Sequence, residues 1–298
     1  MAMMAHDALA YAALTLALVA SWASPAYYLS SIVASAFMLL PHAPHNTKAT
    51  VQMWHRDRPA FWANVEQGVG GGTTPWILDV VRAACEDESE HFSIYKKKIG
   101  DDGSQLLAAA LSKMPRPLPF KTIDVRLNLL TEKGATALAG AIQAGFVGGQ
   151  LEGLYLGDNE KVGDAGVKAL MSALPPTTSV LHLGAAGCGD DGAASVASTL
   201  PALPALTQLL LHENFIGASG AKALADELIA QKGSQLEKLW IYRNALLDEG
   251  ADMLAKALPY MKGSLQEFLA YSNGLSDSAK KALAEAAKHG ANVPDIKV

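Results

Sequence analysis

Seven times between Ser89 and the end of the chain, apolar residues fall at the first, fourth and sixth places of a short segment, and a polar or small residue closes it at the ninth. The fullest copies are Leu151-Leu154-Leu156-Asn159, Leu206-Leu209-Leu211-Asn214 and Leu236-Leu239-Ile241-Asn244. Phe120-Ile123-Val125-Asn128 and Leu265-Phe268-Ala270-Asn273 fit with small substitutions. Thr178-Leu181-Leu183-Ala186 loses the asparagine, and Ser89-Phe92-Ile94-Lys97 diverges most. The alternation around the fourth place predicts a strand in each copy. A ninth-place Asn suits the turn that follows, because its side chain bonds nearby backbone groups.

Six residues past the ninth place stand Gly103, Gly134, Gly192, Gly220 and Gly250; Gly166 needs one extra residue, and the last copy has Ala279. A helical pattern follows, with Leu224 and Leu228, or Leu254 and Leu258, four apart on one face. One strand and one helix in about 29 residues, repeated, resembles the ribonuclease-inhibitor-like class of leucine-rich repeats. The resemblance covers residues 89–298. It implies an α/β leucine-rich-repeat solenoid, a horseshoe with strands on the concave side and helices outside. No single copy buries its own apolar edge; stacked copies bury one another.

The other apolar pattern is N-terminal. From Ala8 to Thr47 there is no Asp, Glu, Lys or Arg, and Ser24-Pro25 breaks the stretch. A bilayer core needs about 20 helical residues. The run predicts one tilted or Pro-kinked transmembrane helix, with a re-entrant hairpin as the alternative geometry. Trp22, Tyr27, Tyr28, Trp54 and Trp62 are the expected membrane-interface residues. The competing reading is a leader cut after Ser21-Trp22-Ala23. No basic residue precedes the apolar run, and its apolar character resumes past that cut. Both facts favour the span. The first basic residues, Lys48, Arg56 and Arg58, follow it, which places the repeats on the cytoplasmic, stromal or matrix side.

The expected organisation is a membrane segment over 1–47, a connector over 48–73, a capping helix over 74–88 and repeats over 89–298. Gly68, Gly70, Gly71 and Gly72 lack the Gly-Lys-Ser/Thr ending of a phosphate loop and read as a hinge. Trp76, Ile77, Val80, Val81 and Ala84 form the expected apolar face of the capping helix.

Composition and charge narrow the function. The chain has 24 basic and 29 acidic side chains, a formal net charge of −5. With no basic stripe, this argues against nucleic acid. Cys85 and Cys188 make no disulfide framework and no zinc pattern. No nucleophile elbow, metalloprotease motif or Cys-His pairing appears, so no catalytic residue or enzyme activity is expected. No cofactor is predicted; His42 or His45 ligating a chlorophyll or haem metal is the alternative to a headgroup-level role. His182 and His212 are diagonal neighbours with no further ligands beside them for a metal.

Partner contacts are expected on the concave face. The fifth places read Ser93, Asp124, Tyr155, His182, Leu210, Trp240 and Leu269; the seventh read Tyr95, Arg126, Gly157, Gly184, His212, Tyr242 and Tyr271. Tyr155, His182, Leu210, His212, Trp240, Tyr242, Leu269 and Tyr271 are the candidate binding residues. Gly157 and Gly184 are expected to flatten the middle of the sheet and admit a bulky partner. The resulting expectation is a membrane-anchored, non-catalytic scaffold: an accessory subunit of an organellar complex, taken to be a photosystem of the thylakoid, with a respiratory complex as alternative. Its partners would be protein subunits of that complex and the lipid bilayer. A soluble repeat protein that regulates a protein partner, its leader removed, is the competing reading.

Overall fold

A computed structural model describes residue 59 and residues 62–63, 76–86, 89–113, 120–143, 150–231 and 235–298. These fall within one compact unit, Asn46–Val298. Helix α1 (Trp76–Glu86) is the first element described with its full bounds. Strands β1 (His91–Ser93), β2 (Thr122–Asp124), β3 (Gly153–Tyr155), β4 (Val180–His182), β5 (Gln208–Leu210), β6 (Lys238–Trp240), β7 (Glu267–Leu269) and β8 (Asp295–Lys297) then alternate with helices. Those helices are α2 (Gly100–Lys113), α3 (Glu132–Gln143), α4 (Gly163–Met171), α5 (Asp190–Thr199), α6 (Ala218–Ala230), α7 (Leu247–Ala257) and α8 (Asp277–Glu285). The strands form one parallel sheet in chain order.

Register follows the repeat. Ile123, Leu154, Leu181, Leu209, Leu239 and Phe268, each at a fourth place, pair in line across the sheet. They and the apolar residues at the first and sixth places are buried together with the inner faces of the helices. Each such Leu or Phe contributes about 1.5–3 kcal/mol on burial.

Two sets of polar side chains tie the repeats together. The first is the ninth-place asparagines. Asn159 Oδ1 accepts from the N–H groups of Asn128 and Leu130, both at 3.0 Å, one repeat upstream. Its Nδ2 donates to Val125 O at 3.1 Å and Leu156 O at 2.5 Å. Asn128, Asn214, Asn244 and Asn273 repeat the arrangement. Ala186 interrupts it. The loop upstream of that break is the one carrying the extra residue: Val162 N donates to Asn159 O at 3.0 Å, and Gly163 N donates to Ala186 O at 2.9 Å. The two irregularities visible in the sequence are therefore neighbours in space.

The second set is unforeseen from the sequence. Asp101 Oδ1 accepts from Thr131 N at 2.8 Å and Gly134 N at 3.0 Å, so an aspartate on α2 caps the start of α3. Asp164 does the same for Gly189 and Gly192 at the start of α5, and Asp190 for Gly217 and Gly220 at the start of α6. Asp248 accepts from Ser276 N and Oγ before α8. Each cap satisfies helix-end donors that would otherwise lack partners. The glycines are needed for approach: a Cβ on Gly134 or Gly192 would lie 2.6 Å from the capping oxygen.

Several expectations need correction. A transmembrane helix belonged to the expected fold class, but among the described residues no helix is long and apolar enough to cross a membrane. The described α-helices have 9 to 14 residues and bury one face against neighbours, where a span needs about 20 apolar ones. The fold class that stands is an α/β repeat solenoid of parallel strands. The stretch Ala8 to Leu40 lies outside the described residues, as do Trp22, Tyr27, Tyr28, His42, His45 and Trp54. Trp62, expected at a lipid interface, is instead buried at 2% exposure. Its Nε1 donates to Glu86 Oε1 at 3.1 Å, and the Arg82 guanidinium lies 5.1 Å from its ring centre. The inner face of α1 includes the expected one and is wider: Ile77 and Val81 are buried with Leu78 and Cys85, and Trp76, Val80 and Ala84 pack half-buried against the core. The tail supplies an eighth strand. Asn292 ends the last helical turn at φ 60°, and Ala270 N donates to Lys297 O at 2.7 Å.

Candidate functional site

Third-, fifth- and seventh-place side chains stand on the sheet face turned away from the helices. Parallel register sets each fifth-place residue beside the next: Asp124, Tyr155, His182, Leu210, Trp240 and Leu269. On this frame the aromatic side chains join into one strip. Tyr155 and His182 have ring centres 6.2 Å apart, and His182 and His212 5.2 Å apart, edge to face. His212 stacks on Tyr242 at 4.7 Å and 16°, and Tyr242 on Tyr271 at 4.5 Å and 7°. Trp240 meets His212 edge-on at 5.6 Å. Each such pair adds about 0.5–1.5 kcal/mol beyond its buried area.

The strip extends further upstream than the eight candidate residues. Arg126 lies 5.2 Å from the Tyr95 ring centre and 5.3 Å from that of Tyr155. Asp124 holds the guanidinium by two hydrogen bonds, 3.0 and 2.7 Å. The seventh-place column contained this signal, since Tyr95 and Arg126 head it.

Two candidates do not belong to the exposed surface. Leu210 and Leu269 are each 6% exposed, among the rings rather than above them. The expected flattening at Gly157 and Gly184 is also corrected. A Cβ on Gly157 would come within 2.4 Å of the His182 ring, and one on Gly184 within 2.3 Å of the His212 ring. Each histidine leans over the glycine of the preceding repeat and fills the space that glycine leaves.

Burial governs the chemistry of these groups. His182 is pushed down to about 4, first by burial and then by His212 and Arg126. His212 is lowered too, again chiefly by burial. Both rings are therefore neutral near pH 7. Burial, with Tyr271 next, raises Tyr242 to about 12, so its phenol stays protonated. Two buried polar atoms in the strip, His212 Nδ1 and Trp240 Nε1, have no hydrogen-bond partner. An unmet buried donor costs about 1–3 kcal/mol. The buried thiols lie elsewhere, Cys85 in α1 and Cys188 after the broken rung; burial raises both to about 12.

Parallel three-residue strands, the asparagine series and the strand-helix alternation define a leucine-rich-repeat-like protein. Over 195 residues the chain is 30% identical to the ribonuclease inhibitor of Sus scrofa, a match taking in 60% of this chain. The chain spans about 40% of that relative's length. No family model matches the sequence.

Proposed function

We propose that the repeat domain is a non-catalytic scaffold of the ribonuclease-inhibitor-like repeat class, an accessory subunit of a larger protein assembly, and that the strip from Tyr155 to Tyr271 holds its protein partner. The observation that carries this is the strip itself: half-buried rings in one row, two of which hold a polar atom with no hydrogen-bond partner. Tyr and Trp are common interface anchors. The similar pig protein bears the name of an inhibitor of ribonuclease, which supports a protein ligand.

The test compares native association of the full-length chain with that of a Trp240→Ala, Tyr242→Ala variant. Loss of about 1 kcal/mol or more of binding is expected. Undiminished association by a variant that keeps its circular dichroism and melting temperature would reject the strip as the contact surface.

A further inference from the structure

We infer that the strip takes an acidic, extended segment of its protein partner, with carboxylates over Lys96, Lys97 and Lys98 and main-chain carbonyls along the ring edges. This rests on the reading of the strip as the contact surface.

Three observations converge on an acceptor-rich ligand. The first is ring orientation. His212, Tyr242 and Tyr271 stack face to face along the direction that crosses the strands. Tyr242 is covered on both faces, and His212 and Tyr271 on the face turned to it, so along the stack it is edges that turn outward. An aromatic edge carries the positive end of the ring quadrupole and attracts carbonyl or carboxylate oxygen. The second is the donor inventory. Burial keeps the Tyr242 phenol protonated, so beside Tyr271 it stands as a hydroxyl donor and not as an anion that would repel a carboxylate.

The third observation is charge. Lys96, Lys97 and Lys98 are exposed beside Tyr95, at the upstream end of the strip. Among the described residues none of the three forms an ion pair, whereas Lys121, Lys222, Lys238, Lys256 and Lys280 all do. Nearby carboxylates are already engaged: Asp124 by Arg126, and Asp101 by Thr131 and Gly134. Asp102, four residues beyond Lys98 in the chain, is exposed. On a chain of net charge −5, three unpaired lysines in a row form a distinct local field.

The same geometry separates a peptide from a nucleic acid. Single-stranded nucleic acid binds by stacking bases on open ring faces. Here the stack closes both faces of Tyr242 and one face each of His212 and Tyr271. From Tyr95 to Tyr271 the strip crosses seven strands, about 29 Å at the usual spacing, which an extended segment of about nine residues covers.

Fluorescence anisotropy of the full-length chain would use a labelled peptide of alternating Glu and Leu, about nine residues long. Its counterpart replaces each Glu by Lys. The acidic peptide is expected to bind about tenfold or more tightly than the basic one at low salt, and the difference to shrink as salt rises. The Lys96→Glu, Lys97→Glu, Lys98→Glu variant is expected to lose that preference. Equal affinity for the two peptides, no binding of the acidic one, or an unaffected triple variant overturns the acidic-segment proposal. Continued dependence of native association on Trp240 and Tyr242 would then keep the strip as a contact surface. If that dependence is absent as well, the broader reading also falls. A single-stranded oligonucleotide of equal charge that binds more tightly than the acidic peptide, and fails with the triple variant, marks a general polyanion patch and overturns the proposal.

Discussion

In every repeat one residue just after the strand takes a left-handed backbone, and none of the seven is glycine: Lys96, Leu127, Asp158, Ala185, Glu213, Arg243 and Ser272, with φ from 51° to 60°. Each costs about 1–2 kcal/mol relative to an ordinary conformation. In five of the seven repeats the turn places the next side chain, the ninth-place asparagine, into the stack, where its four or five hydrogen bonds offset that strain. At the same scale the histidines make stability depend on pH. The folded chain holds His182 neutral down to about 4, while an unfolded one protonates near the ordinary value of 6.5. Between those values the unfolded state binds more protons, so stability falls as pH falls, and the loss is complete below about 4. The contribution is at most roughly 3 kcal/mol. Denaturant midpoints from pH 7 to 4 should show this decline, and His182→Phe should flatten it; an equally steep decline in the variant would place its cause elsewhere. The face that each of the eight candidate side chains takes was legible from place number alone, because strand alternation fixes it; that Leu210 and Leu269 sink among the rings was not. The lean of His182 and His212 was not: a glycine column shows where a side chain is missing, not which neighbour moves in.

The helix starts are where the sequence held a pattern that periodicity alone passes over. Asp101-Asp102-Gly103, Asp164-Ala165-Gly166, Asp190-Asp191-Gly192 and Asp248-Glu249-Gly250 share one spacing. Only the fold shows that each aspartate serves the next repeat's helix rather than its own. The two exceptions, Glu132 and Ala218, precede α4 and α7, whose starts have no side-chain cap. Asp101→Ala should cost about 1–2 kcal/mol. Gly134→Ala should cost a similar amount, because its new methyl would displace the same carboxylate. The two changes should therefore be less than additive in a double-mutant cycle read by urea unfolding. Strict additivity would separate the glycine from the cap. Hydrogen bonds from Thr131 and Gly134 outweigh burial and hold the Asp101 carboxyl below its ordinary range, so this cap persists further into acid than that of an ordinary aspartate.

For the whole molecule, repeats contact their neighbours in chain order, so stability is close to a sum over repeats and the junctions between them. The seven strand positions were readable because each repeat imposes the same alternation. The eighth strand was not, since Pro294 to Val298 carries no leucine pattern; it joins by backbone pairing with β7, with Ile296 and Val298 packed half-buried against the core. Leu209→Ala, at a fully buried site in β5, should cost about 2–5 kcal/mol and lower amide protection in β4 and β6 as well. Ile296→Ala, in half-buried β8, should affect β7 and β8 alone. Hydrogen exchange that drops uniformly over the chain after either change would contradict a junction-by-junction account. The aspartate caps have one more consequence, for anyone who would splice such proteins. The visible module runs from strand to helix, but the interlocking pair is an upstream Asp with a downstream Gly. A graft that keeps every module intact can still join an aspartate to a position bearing a methyl group. Interchangeable parts here must be matched at their seams, and the seam is written in two different repeats.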